Sequence, residues 1–340
     1  RHARRHALRG PGVVIDTAIL LAAGLGTRLA PLSAVRAKGA LPVAGDILLR
    51  RQIRWLAAAG VRRVVVNLHH RPASITGRVG HGDDLGVEVR YSWEPIVLGS
   101  AGGPRRAFEL VDAQRAFIVN GDTLTDLDLH GLAEAHARLG SLVTLAATPD
   151  ARPGYNALAL DDAGRWLGVA RHGELVLVAL IGRRQVHFIG VQVVERAAFA
   201  GVSADAPSEV LRQVYPALIA GDPSAVRVAP GGVTFHDIGT PGEYLRTVRA
   251  LADAEGVALD RGRGTCVAAG AVVRDSVLWD DVHVETDAEV RGCVLADGVR
   301  VPAGTHLSNA AVIRRADAGP STPGRAAGDL WIAPLDAAAS

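Results

Sequence analysis

The chain has 340 residues, of which 49% are hydrophobic and only 4% aromatic. This length suits one large domain and a smaller one, with a core filled mainly by aliphatic residues and alanine. The formal net charge of +2 gives no general reason to expect a nucleic-acid partner. Apolar runs fall short of the roughly 20 residues that span a bilayer, so we expect no membrane partner. Two cysteines, Cys266 and Cys293, cannot form a disulfide framework, and we expect a reducing, cytoplasmic setting.

Lysine and arginine are used very unequally. Lys38 is the only lysine, and arginine supplies the remaining 36 of the 37 lysine and arginine positions. An ammonium group and a guanidinium group differ in size, donor geometry and hydration. A sequence that keeps lysine once therefore predicts that position 38 needs an ammonium group.

The first part of the chain alternates between strand and helix patterns. Residues 1–14 are basic and include a Pro-Gly pair, which predicts a disordered arm. The apolar run at residues 13–22 is typical of a buried parallel strand. Residues 48–59 predict a helix that stops at Gly60, and residues 63–68 predict the next strand.

The same alternation continues to about residue 253. Strands are predicted at residues 87–91, 116–119 and 142–147, and helices at 71–79, 101–110, 129–139, 209–219 and 241–252. This order favours an α/β domain with a mixed, mostly parallel sheet over residues 15–253. Residues 254–264 are polar and glycine-rich, which indicates a linker.

The apolar period changes after the linker. Apolar residues recur every six positions in two ladders, separated by one phase slip: Val272, Leu278, Val284, Val290, and then Leu295, Val301, Leu307, Ile313. A hexapeptide period predicts a short left-handed parallel β-helix over residues 265–313. Residues 314–340 are rich in alanine, glycine and proline, and we expect them to be disordered.

A glycine-rich loop follows the first strand and carries the residue types that bind phosphate. Gly24 and Gly26 allow close approach of backbone N–H groups to a phosphate. Thr27 adds a hydroxyl donor, Arg28 can grip two phosphate oxygens, and Lys38 adds a point charge. A dinucleotide fingerprint is excluded by Leu29, and a P-loop by the Lys-Gly order at position 38.

The sequence from Leu21 to Leu32 is Leu-Ala-Ala-Gly-x-Gly-Thr-Arg-Leu-x-Pro-Leu, and Lys-x-x-x-Pro-Val follows at Lys38. These motifs resemble the signature of the sugar-phosphate nucleotidylyltransferases, including mannose-1-phosphate guanylyltransferases and their uridylyl and thymidylyl relatives. The resemblance extends through residues 94–102, 117–122 and 237–241. It implies a Rossmann-like fold and a Mg²⁺-dependent transfer from an NTP to a sugar-1-phosphate. The hexapeptide tail is similar to that of the guanylyltransferases, which favours GTP and mannose-1-phosphate.

The resemblance also assigns roles to residues. It places the nucleotide phosphates and base against a set of loop residues: Ala22, Ala23, Gly24, Gly26, Thr27, Arg28, Gly99 and Gly102. Catalysis would use Arg28, Lys38 and Asp122, and Mg²⁺ would bind Asp122 and Asp237. Asn156 and Gly190 would line the sugar pocket. The family's Glu-Lys-Pro lysine has no counterpart in residues 165–174, and two explanations stay open: Arg171 takes its place, or the site differs.

Three alternatives stay open at this stage. The first is a different donor nucleotide, UTP or dTTP, used with another sugar-1-phosphate. The protein could instead be a non-catalytic paralogue that binds an NDP-sugar for regulation. The repeats could form an acyltransferase with His283 or His306 as the base, but they are short, and we favour a homo-oligomer or regulatory role for them.

Overall fold

The structure is a computed structural model that describes residues 14–149, 157–170 and 184–335. Nearly all of the predicted N-terminal arm, residues 1–14, lies outside the described residues. The chain divides into two compact units of discontinuous segments. The first unit is drawn from Arg1–Ala23, Ile53–Leu68 and His81–Phe235, and the second from Gly24–Gln52, His69–Gly80 and His236–Ser340. The second unit therefore crosses the boundaries predicted near residues 253 and 265, because the glycine-rich loop packs in the same unit as the repeats.

Thirteen strands of the described residues precede the hexapeptide region. In chain order they are β1 Thr17–Leu21, β2 Pro42–Val43, β3 Asp46–Ile47, β4 Arg63–Leu68, β5 Glu88–Trp93, β6 Arg115–Asn120, β7 Thr123–Thr125, β8 Val143–Thr148, β9 Ala157–Leu160, β10 Trp166–Ala170, β11 Arg184–Glu195, β12 Val226–Pro230 and β13 Phe235–Asp237.

Nine of these strands form one mixed sheet in the first unit. Its main order is β10-β9-β11-β6-β1-β4-β5, with β8 beside β11 and β12 beside β8. Strand β1 runs parallel to β4 and β6, and β4 runs parallel to β5, whereas β11 is antiparallel to β6 and β8. The predicted α/β fold class is confirmed. Since ligands of open α/β sheets bind beyond the carboxyl ends of parallel strands, the edge after β1, β4 and β6 is the place to look for a site.

The described helices agree closely with the periodicity of the sequence. They are α1 Leu48–Ala58, α2 Pro72–Val79, α3 Gly99–Ala107, α4 Leu129–Leu139, α5 Tyr215–Gly221 and α6 Pro241–Glu255. Side chains cap two of them, since Asp128 accepts the N–H of His130 and Thr240 accepts the N–H of Glu243. The helix predicted at 209–219 is instead a π-helical turn, Val210–Val214, followed by α5. Of the helices in the described ranges, none has both the length and the apolar character needed to cross a bilayer.

The hexapeptide region forms three short parallel sheets in the second unit. Its strands are β14 Cys266–Val267, β15 Val272–Arg274, β16 Val277–Leu278, β17 His283–Val284, β18 Glu289–Arg291, β19 Val294–Leu295, β20 Arg300–Val301, β21 His306–Ser308 and β22 Ala310–Arg314. Paired residues on successive coils differ by 17 positions, as in Cys266 with His283 and Leu278 with Leu295. Each coil therefore has 17 residues rather than three full hexapeptides.

The 17-residue coil changes the predicted apolar ladders. The residues that pack in the core of the coils are Val267, Val273, Leu278, Val284, Val290, Leu295, Val301, Leu307 and Val312. Their spacing is six, five and six residues, and this pattern repeats. The prediction of one phase slip is wrong, because a step of five occurs in every coil. Val273 and Val312 accordingly take the places of the predicted Val272 and Ile313.

The corners of the coils explain how the chain turns so tightly. Nine corner residues have φ between 48° and 81°: Gly264, Gly270, Asp275, Asp281, Asp287, Gly292, Gly298, Gly304 and Asn309. This left-handed backbone is costly for most side chains but accessible to glycine, asparagine and aspartate. The corners recur at the same 17-residue spacing, so each coil has residues that accept a left-handed backbone at the same three positions.

The segment after the last coil is ordered, and the prediction of a disordered tail is wrong for residues 315–335. Strands β23 Arg325–Ala327 and β24 Leu330–Pro334 form a hairpin, and β24 pairs antiparallel with β22. Leu330 is buried in the core of the coils. The hairpin thus covers the edge of the last coil, where unpaired backbone groups would otherwise invite association. The predicted disorder of residues 336–340 lies outside the described residues.

Candidate active site

In the first unit, the backbone that follows β1 is held by a buried asparagine. Asn67 lies near the end of β4 and is 3% exposed. Its Oδ1 atom accepts hydrogen bonds from the backbone N–H groups of Ala22, at 2.6 Å, and Ala23, at 3.2 Å. Two of the predicted nucleotide-binding residues are therefore fixed by a side chain from the neighbouring parallel strand.

A buried carboxylate extends this network. Glu94 is 0% exposed, accepts a hydrogen bond from Asn67 Nδ2 at 2.7 Å and accepts the N–H of Leu98 at 2.8 Å. Leu98 directly precedes α3, so the carboxylate joins the end of β4 to the start of that helix. A buried carboxylate is costly unless hydrogen bonds compensate for its lost hydration, and both oxygens of Glu94 have such bonds.

Glycines in and before α3 allow close packing within the first unit. A Cβ atom on Gly103 would lie 2.7 Å from both Asn67 Nδ2 and Glu94 Oε1. A Cβ atom on Gly99 would lie 2.6 Å from the carbonyl oxygen of Ser208, and one on Gly102 would lie 2.8 Å from that of Ala206. Close packing against the chain itself thus explains why glycine stands at positions 99 and 102. Contact of these two residues with the nucleotide stays a prediction.

Asp122 lies just beyond the carboxyl end of β6. The preceding Gly121 donates its N–H to the carbonyl of Leu21 at 2.9 Å, and a Cβ atom on Gly121 would lie 2.5 Å from that same oxygen. This close approach places Gly121, the residue before Asp122, against the end of β1. The parallel pairing of β1 with β6 therefore places the predicted metal ligand at the edge of the sheet where ligands bind.

Gly190 in β11 also packs against the end of β6. A Cβ atom there would lie 2.6 Å from Thr123 Oγ1 and 2.8 Å from Asn120 Nδ2. The register of β11 against β8 shifts between Phe188 and Gln192, and Gly190 has a φ of 78° inside this irregularity. A strand glycine at a bulge often marks close approach, here by the chain itself. Its predicted role in the sugar pocket stays a prediction.

In the second unit, the glycine-rich loop is open to solvent. Gly24, Thr27 and Arg28 are exposed. Gly26 has a φ of 63° and begins a 3₁₀ turn that includes Thr27 and Arg28 and buries Leu29. No described atom lies within 4 Å of where a Cβ atom of Gly24 would stand, so no internal contact requires glycine there. This is the pattern expected where a ligand, rather than the protein, approaches the backbone.

Arg28 lies against the loop that carries Asp237. A Cβ atom on Gly239 would lie 3.2 Å from Arg28 Nη1 and 2.6 Å from Glu243 Oε2. Gly239 also donates its N–H to Glu243 Oε2 at 3.0 Å. The guanidinium of Arg28 and the sequence Asp-Ile-Gly are thus neighbours within one unit.

Lys38 and Asp237 form the central charged pair of the second unit. Lys38 Nζ lies 3.9 Å from Asp237 Oδ1, at the outer limit of an ion pair, and the two side chains are 19% and 14% exposed. Lys38 opens a 3₁₀ turn, Lys38–Ala40, in which Gly39 and Ala40 are buried. Arg28, Lys38 and Asp237 therefore come together in the second unit, although 199 positions separate Lys38 from Asp237 in the sequence.

The donor chemistry of the two predicted metal ligands fits a hard cation. Asp122 in the first unit and Asp237 in the second offer carboxylate oxygens, the ligands that Mg²⁺ prefers. No group of three or more histidine, cysteine, aspartate or glutamate side chains capable of holding a metal occurs among residues 14–149, 157–170 and 184–335. Each of these carboxylates by itself suits Mg²⁺, because that ion keeps several waters and takes further ligands from substrate phosphates.

Some of the predicted site residues lie in the described part of the chain, and others do not. Asn156 and Arg171, the predicted sugar-side residues, lie outside the described residues. The supporting roles of Asn67 and Glu94 were not predicted. A signal existed for Asn67, since it is a lone amide in the apolar run of β4 and precedes the carboxyl end of a parallel strand.

Comparison with known families finds matches to two parts of the chain. Residues 17–165 match the family described as "Nucleotidyl transferase". Residues 247–321 match the family described as "GlmU-like, C-terminal hexapeptide". The chain thus has a nucleotidyl transferase domain and a C-terminal hexapeptide region, as the motifs indicated.

Individual relatives add detail. The chain is 28% identical over 298 residues to a mannose-1-phosphate guanylyltransferase of Mycobacterium tuberculosis, which covers 84% of this chain and 81% of that protein. It is 39% identical over 112 residues to an N-acetylmuramate alpha-1-phosphate uridylyltransferase of Neisseria meningitidis, which covers 33% of this chain and 48% of that protein. Similarity to the first relative therefore extends over most of both chains, and similarity to the second is confined to a segment.

Solved structures support the fold. A putative glucose-1-phosphate thymidylyltransferase from Bacillus anthracis aligns with a TM-score of 0.60 and 17% identity, over 73% of this chain and 97% of that one. HddC from Yersinia pseudotuberculosis aligns with a TM-score of 0.59 and 20% identity, over 70% of this chain and 100% of that one. At these identities the structures indicate a shared fold.

Proposed function

We propose that this protein is a sugar-1-phosphate nucleotidylyltransferase that prefers GTP and mannose-1-phosphate. The observation that carries the proposal is the cluster of Arg28, Lys38 and Asp237, whose Lys38 Nζ and Asp237 Oδ1 atoms are 3.9 Å apart. The glycine-rich loop that leads into this cluster is open where a triphosphate would lie. The nucleotidyl transferase match over residues 17–165 supports the same chemistry.

The residue types suit the charges of this reaction. An oxygen of the sugar-1-phosphate forms a bond to the α-phosphorus of the NTP, the bond from that phosphorus to the β-phosphate bridge breaks, and pyrophosphate leaves. The attacking oxygen is already ionised at neutral pH, so no general base is needed. What the protein must do is hold two anions in line and neutralise charge as it builds up. Arg28 does this at the outgoing phosphates, and Lys38 does it at the α-phosphate.

We assign Asp122 and Asp237 as the carboxylates that hold Mg²⁺, following the family resemblance. When bound, the ion supplies charge neutralisation at the phosphates. Lys38 keeps the Asp237 carboxylate oriented through their ion pair. Asn67 holds Ala22 and Ala23 so that the backbone beside the nucleotide stays fixed.

The choice of nucleotide and sugar rests on the relatives. The M. tuberculosis protein named as a mannose-1-phosphate guanylyltransferase matches over 84% of this chain, and this favours GTP and mannose-1-phosphate. The second candidate is a uridylyltransferase, favoured by the higher identity of 39% to the N. meningitidis protein over 112 residues. We favour the first because its match covers 84% of this chain, against 33% for the second.

The proposed cellular location of the enzyme is the cytoplasm, on the basis of its substrates and its cysteines. NTPs and sugar phosphates are cytoplasmic metabolites, and Cys266 and Cys293 are both free thiols. We also propose that the full chain forms a homo-oligomer through its coils. Light scattering on the full chain tests this, and a monomer at micromolar concentration would refute it.

A substrate panel tests the proposed activity. Four NTPs are each combined with mannose-1-phosphate, glucose-1-phosphate and N-acetylmuramate-1-phosphate, with and without Mg²⁺, and pyrophosphate release is measured. We expect the highest kcat/KM with GTP and mannose-1-phosphate, and a loss of activity without Mg²⁺. Higher kcat/KM with UTP would establish the second candidate. No turnover with any pair would refute the enzyme and leave the NDP-sugar-binding paralogue.

An Asp237→Asn variant separates charge from shape at the proposed metal site. The amide keeps the size of the side chain and loses its negative charge. We expect kcat to fall about 10²- to 10³-fold, the usual effect of removing one electrostatic contact at a reacting phosphate. Glu243→Gln is the matched control, because Glu243 lies in the first turn of α6, six residues after Asp237, and accepts the N–H of Gly239. Equal activity of Asp237→Asn and the wild type would refute the metal assignment.

A further inference from the structure

Arg36, two residues before Lys38, is one of the largest fully buried side chains in the described residues, with 2% exposure. Its guanidinium makes a two-bonded pair with Asp297, from Nε to Oδ2 at 2.8 Å and from Nη2 to Oδ1 at 2.5 Å. Nη2 also donates to Asp280 Oδ2 at 2.8 Å. A buried guanidinium therefore ties the Lys38 segment to the hexapeptide coils, which lie in the same unit.

The two aspartates occupy equivalent positions on successive coils, since they are 17 residues apart. Asp297 Oδ1 accepts the backbone N–H of Asp280 at 3.1 Å, and Asp280 Oδ1 accepts that of Arg263 at 3.0 Å. Stacked carboxylates repel each other, and a cation between them relieves the repulsion. Asp280 and Asp297 thus form a fixed, negatively charged site on the coils, here called the socket, and the guanidinium of Arg36 fills it.

An aromatic ring, that of Trp279, packs against the guanidinium of Arg36 in the socket. The Cζ atom of Arg36 lies 5.0 Å from the centre of the Trp279 ring, a cation–π contact. Trp279 is 0% exposed and donates its indole N–H to Tyr244 Oη at 3.2 Å. The planar guanidinium, which bonds two carboxylates and stacks on a ring, is the group that this geometry requires.

The backbone between Arg36 and Lys38 has little freedom. Ala37 donates its N–H to Ser74 Oγ at 3.0 Å. A Cβ atom on Gly39 would lie 2.4 Å from Leu49 Cδ1, so the chain at that point presses against α1. Residues on both sides of Lys38 are therefore fixed, and the ammonium group alone extends toward Asp237.

We propose that the hexapeptide coils position Lys38 for catalysis, with Asp280 and Asp297 holding Arg36 and Arg36 holding the segment from which Lys38 extends. Arg36 is a positioning residue, and this inference rests on the proposed function, in which Lys38 meets the α-phosphate. It gives the coils a part in the reaction besides assembly. The charge state of the socket agrees: burial by itself raises the pKa of Asp280, but Arg36 and Arg78 outweigh it and hold that pKa below its ordinary value.

Kinetics of the full chain provide the first test. Arg36→Met keeps the length of the side chain and removes its charge, and Asp297→Asn weakens the socket without touching the Lys38 segment. We expect each to lower kcat about 10- to 100-fold with less than a threefold change in the KM for NTP, because small misplacements of a catalytic group cost about this much. Arg78→Met is the matched control. Arg78 bonds the same Asp280 oxygen at 2.9 Å but lies on α2, and we expect its kcat to stay within threefold of the wild type.

Chemical labelling gives a second readout that does not need activity. Because Lys38 is the sole lysine, an amine-reactive acylating reagent modifies it and the terminal amine, and peptide mass spectrometry separates the two products. We expect Arg36→Met and Asp297→Asn to label Lys38 about tenfold faster than the wild type or Arg78→Met, as a released side chain becomes more accessible.

The outcomes are distinct. Folded Arg36→Met and Asp297→Asn proteins with wild-type kcat would overturn the inference, whether or not the labelling rate changes. If Arg36→Met does not fold, Asp297→Asn decides the question by the same two measurements. If the wild type turns over no substrate pair, the proposed function fails. The labelling rates then still decide whether the socket fixes Lys38, with equal rates in all variants overturning it.

Discussion

Two regions of the chain use glycine for opposite purposes, namely the segments around α3 and the end of β6 in the first unit and the loop after β1 in the second. In the first unit, a Cβ atom on Gly99, Gly102, Gly103 or Gly121 would lie within 2.8 Å of another atom of the chain. In the second unit, a Cβ atom on Gly24 would stand in open space. A glycine of the first kind is needed for folding, and a glycine of the second kind is free to serve a ligand. Motif glycines that look alike in sequence therefore divide into two classes.

Charged residues near the predicted site also differ between the two units, in how far they are buried. The buried carboxylate of Glu94 in the first unit bonds Asn67 and the backbone of Leu98, and so fixes the start of α3 against the end of β4. Lys38 and Asp237 in the second unit are partly exposed and pair at 3.9 Å, long enough for phosphate oxygens to compete. The first unit thus contains a buried charge that organises the backbone, whereas the second places two charges where solvent reaches them.

The largest expected effect concerns Lys38. We expect Lys38→Ala to lower kcat about 10²- to 10³-fold, the usual result of removing one preorganised contact to developing charge. Lys38→Arg should recover only part of this loss, because a guanidinium is larger and differs in donor geometry. Pyrophosphate release measures both. Wild-type activity in Lys38→Arg would refute the argument that the site needs an ammonium group.

A pair of glycine variants tests the division directly. Gly103→Ala should lower the free energy of unfolding by about 1–3 kcal/mol, because its Cβ atom would press on the hydrogen-bonded Asn67 and Glu94. Gly24→Ala should leave unfolding unchanged and raise the KM for NTP about tenfold, equivalent to about 1.4 kcal/mol. Urea denaturation and steady-state kinetics on both variants check this. A destabilised Gly24→Ala protein with normal KM would reverse the assignment.

The pH dependence of stability should differ between the units, and Asp280 in the second unit sets its acid limit. The folded state holds the pKa of Asp280 below the ordinary value of 3.8. Its stabilising contribution is therefore complete above that value and is lost as the pH falls through the lower folded value. We expect urea midpoints to drop in this range and to drop less steeply in Asp280→Asn. An equal slope in that variant would show that other carboxylates control acid unfolding.

A smaller effect is expected from His136 in the first unit. Burial lowers the pKa of His136 below 6.5, and the hydrogen bond from its ring to Glu195 opposes this in part. The folded state then binds fewer protons than the unfolded state, so stability is lost as the pH falls below 6.5 through the folded value. Thermal unfolding between pH 7 and pH 5 measures the slope. His136→Asn should flatten it, whereas His130→Asn, on the exposed start of α4, should not.

Much of the fold and the chemical residues could be predicted from the sequence. Helices α1 and α4 and the apolar strand β1 follow from periodicity, because each has one clear pattern and a glycine or polar stop. The loop from Gly24 to Lys38 was predicted from residue types and spacing, whereas the roles of the two aspartates were predicted from the family resemblance. These signals are local, and local physics controls them.

What the sequence did not predict depends on contacts between distant residues. The role of Arg36 requires knowing that positions 280 and 297 stack, and the stacking follows from a 17-residue coil rather than an 18-residue one. The same error misplaced Val272 and Ile313 in the apolar ladders. The hairpin at residues 325–334 was missed because its strands are short and lie among glycines and prolines, where composition argues for disorder.

The 17-residue coil also restricts how this protein can change in evolution. The column that contains Asp280 and Asp297 continues to Arg263 on one side and Arg314 on the other, so opposite charges end the stack. An insertion of one or two residues between Asp280 and Asp297 would shift every later corner out of its left-handed position. It would also move Asp297 away from Arg36. Viable changes in length should come as whole coils, or beyond β22, where the hairpin closes the edge. Repeat number can vary in such a lineage, but repeat length cannot drift.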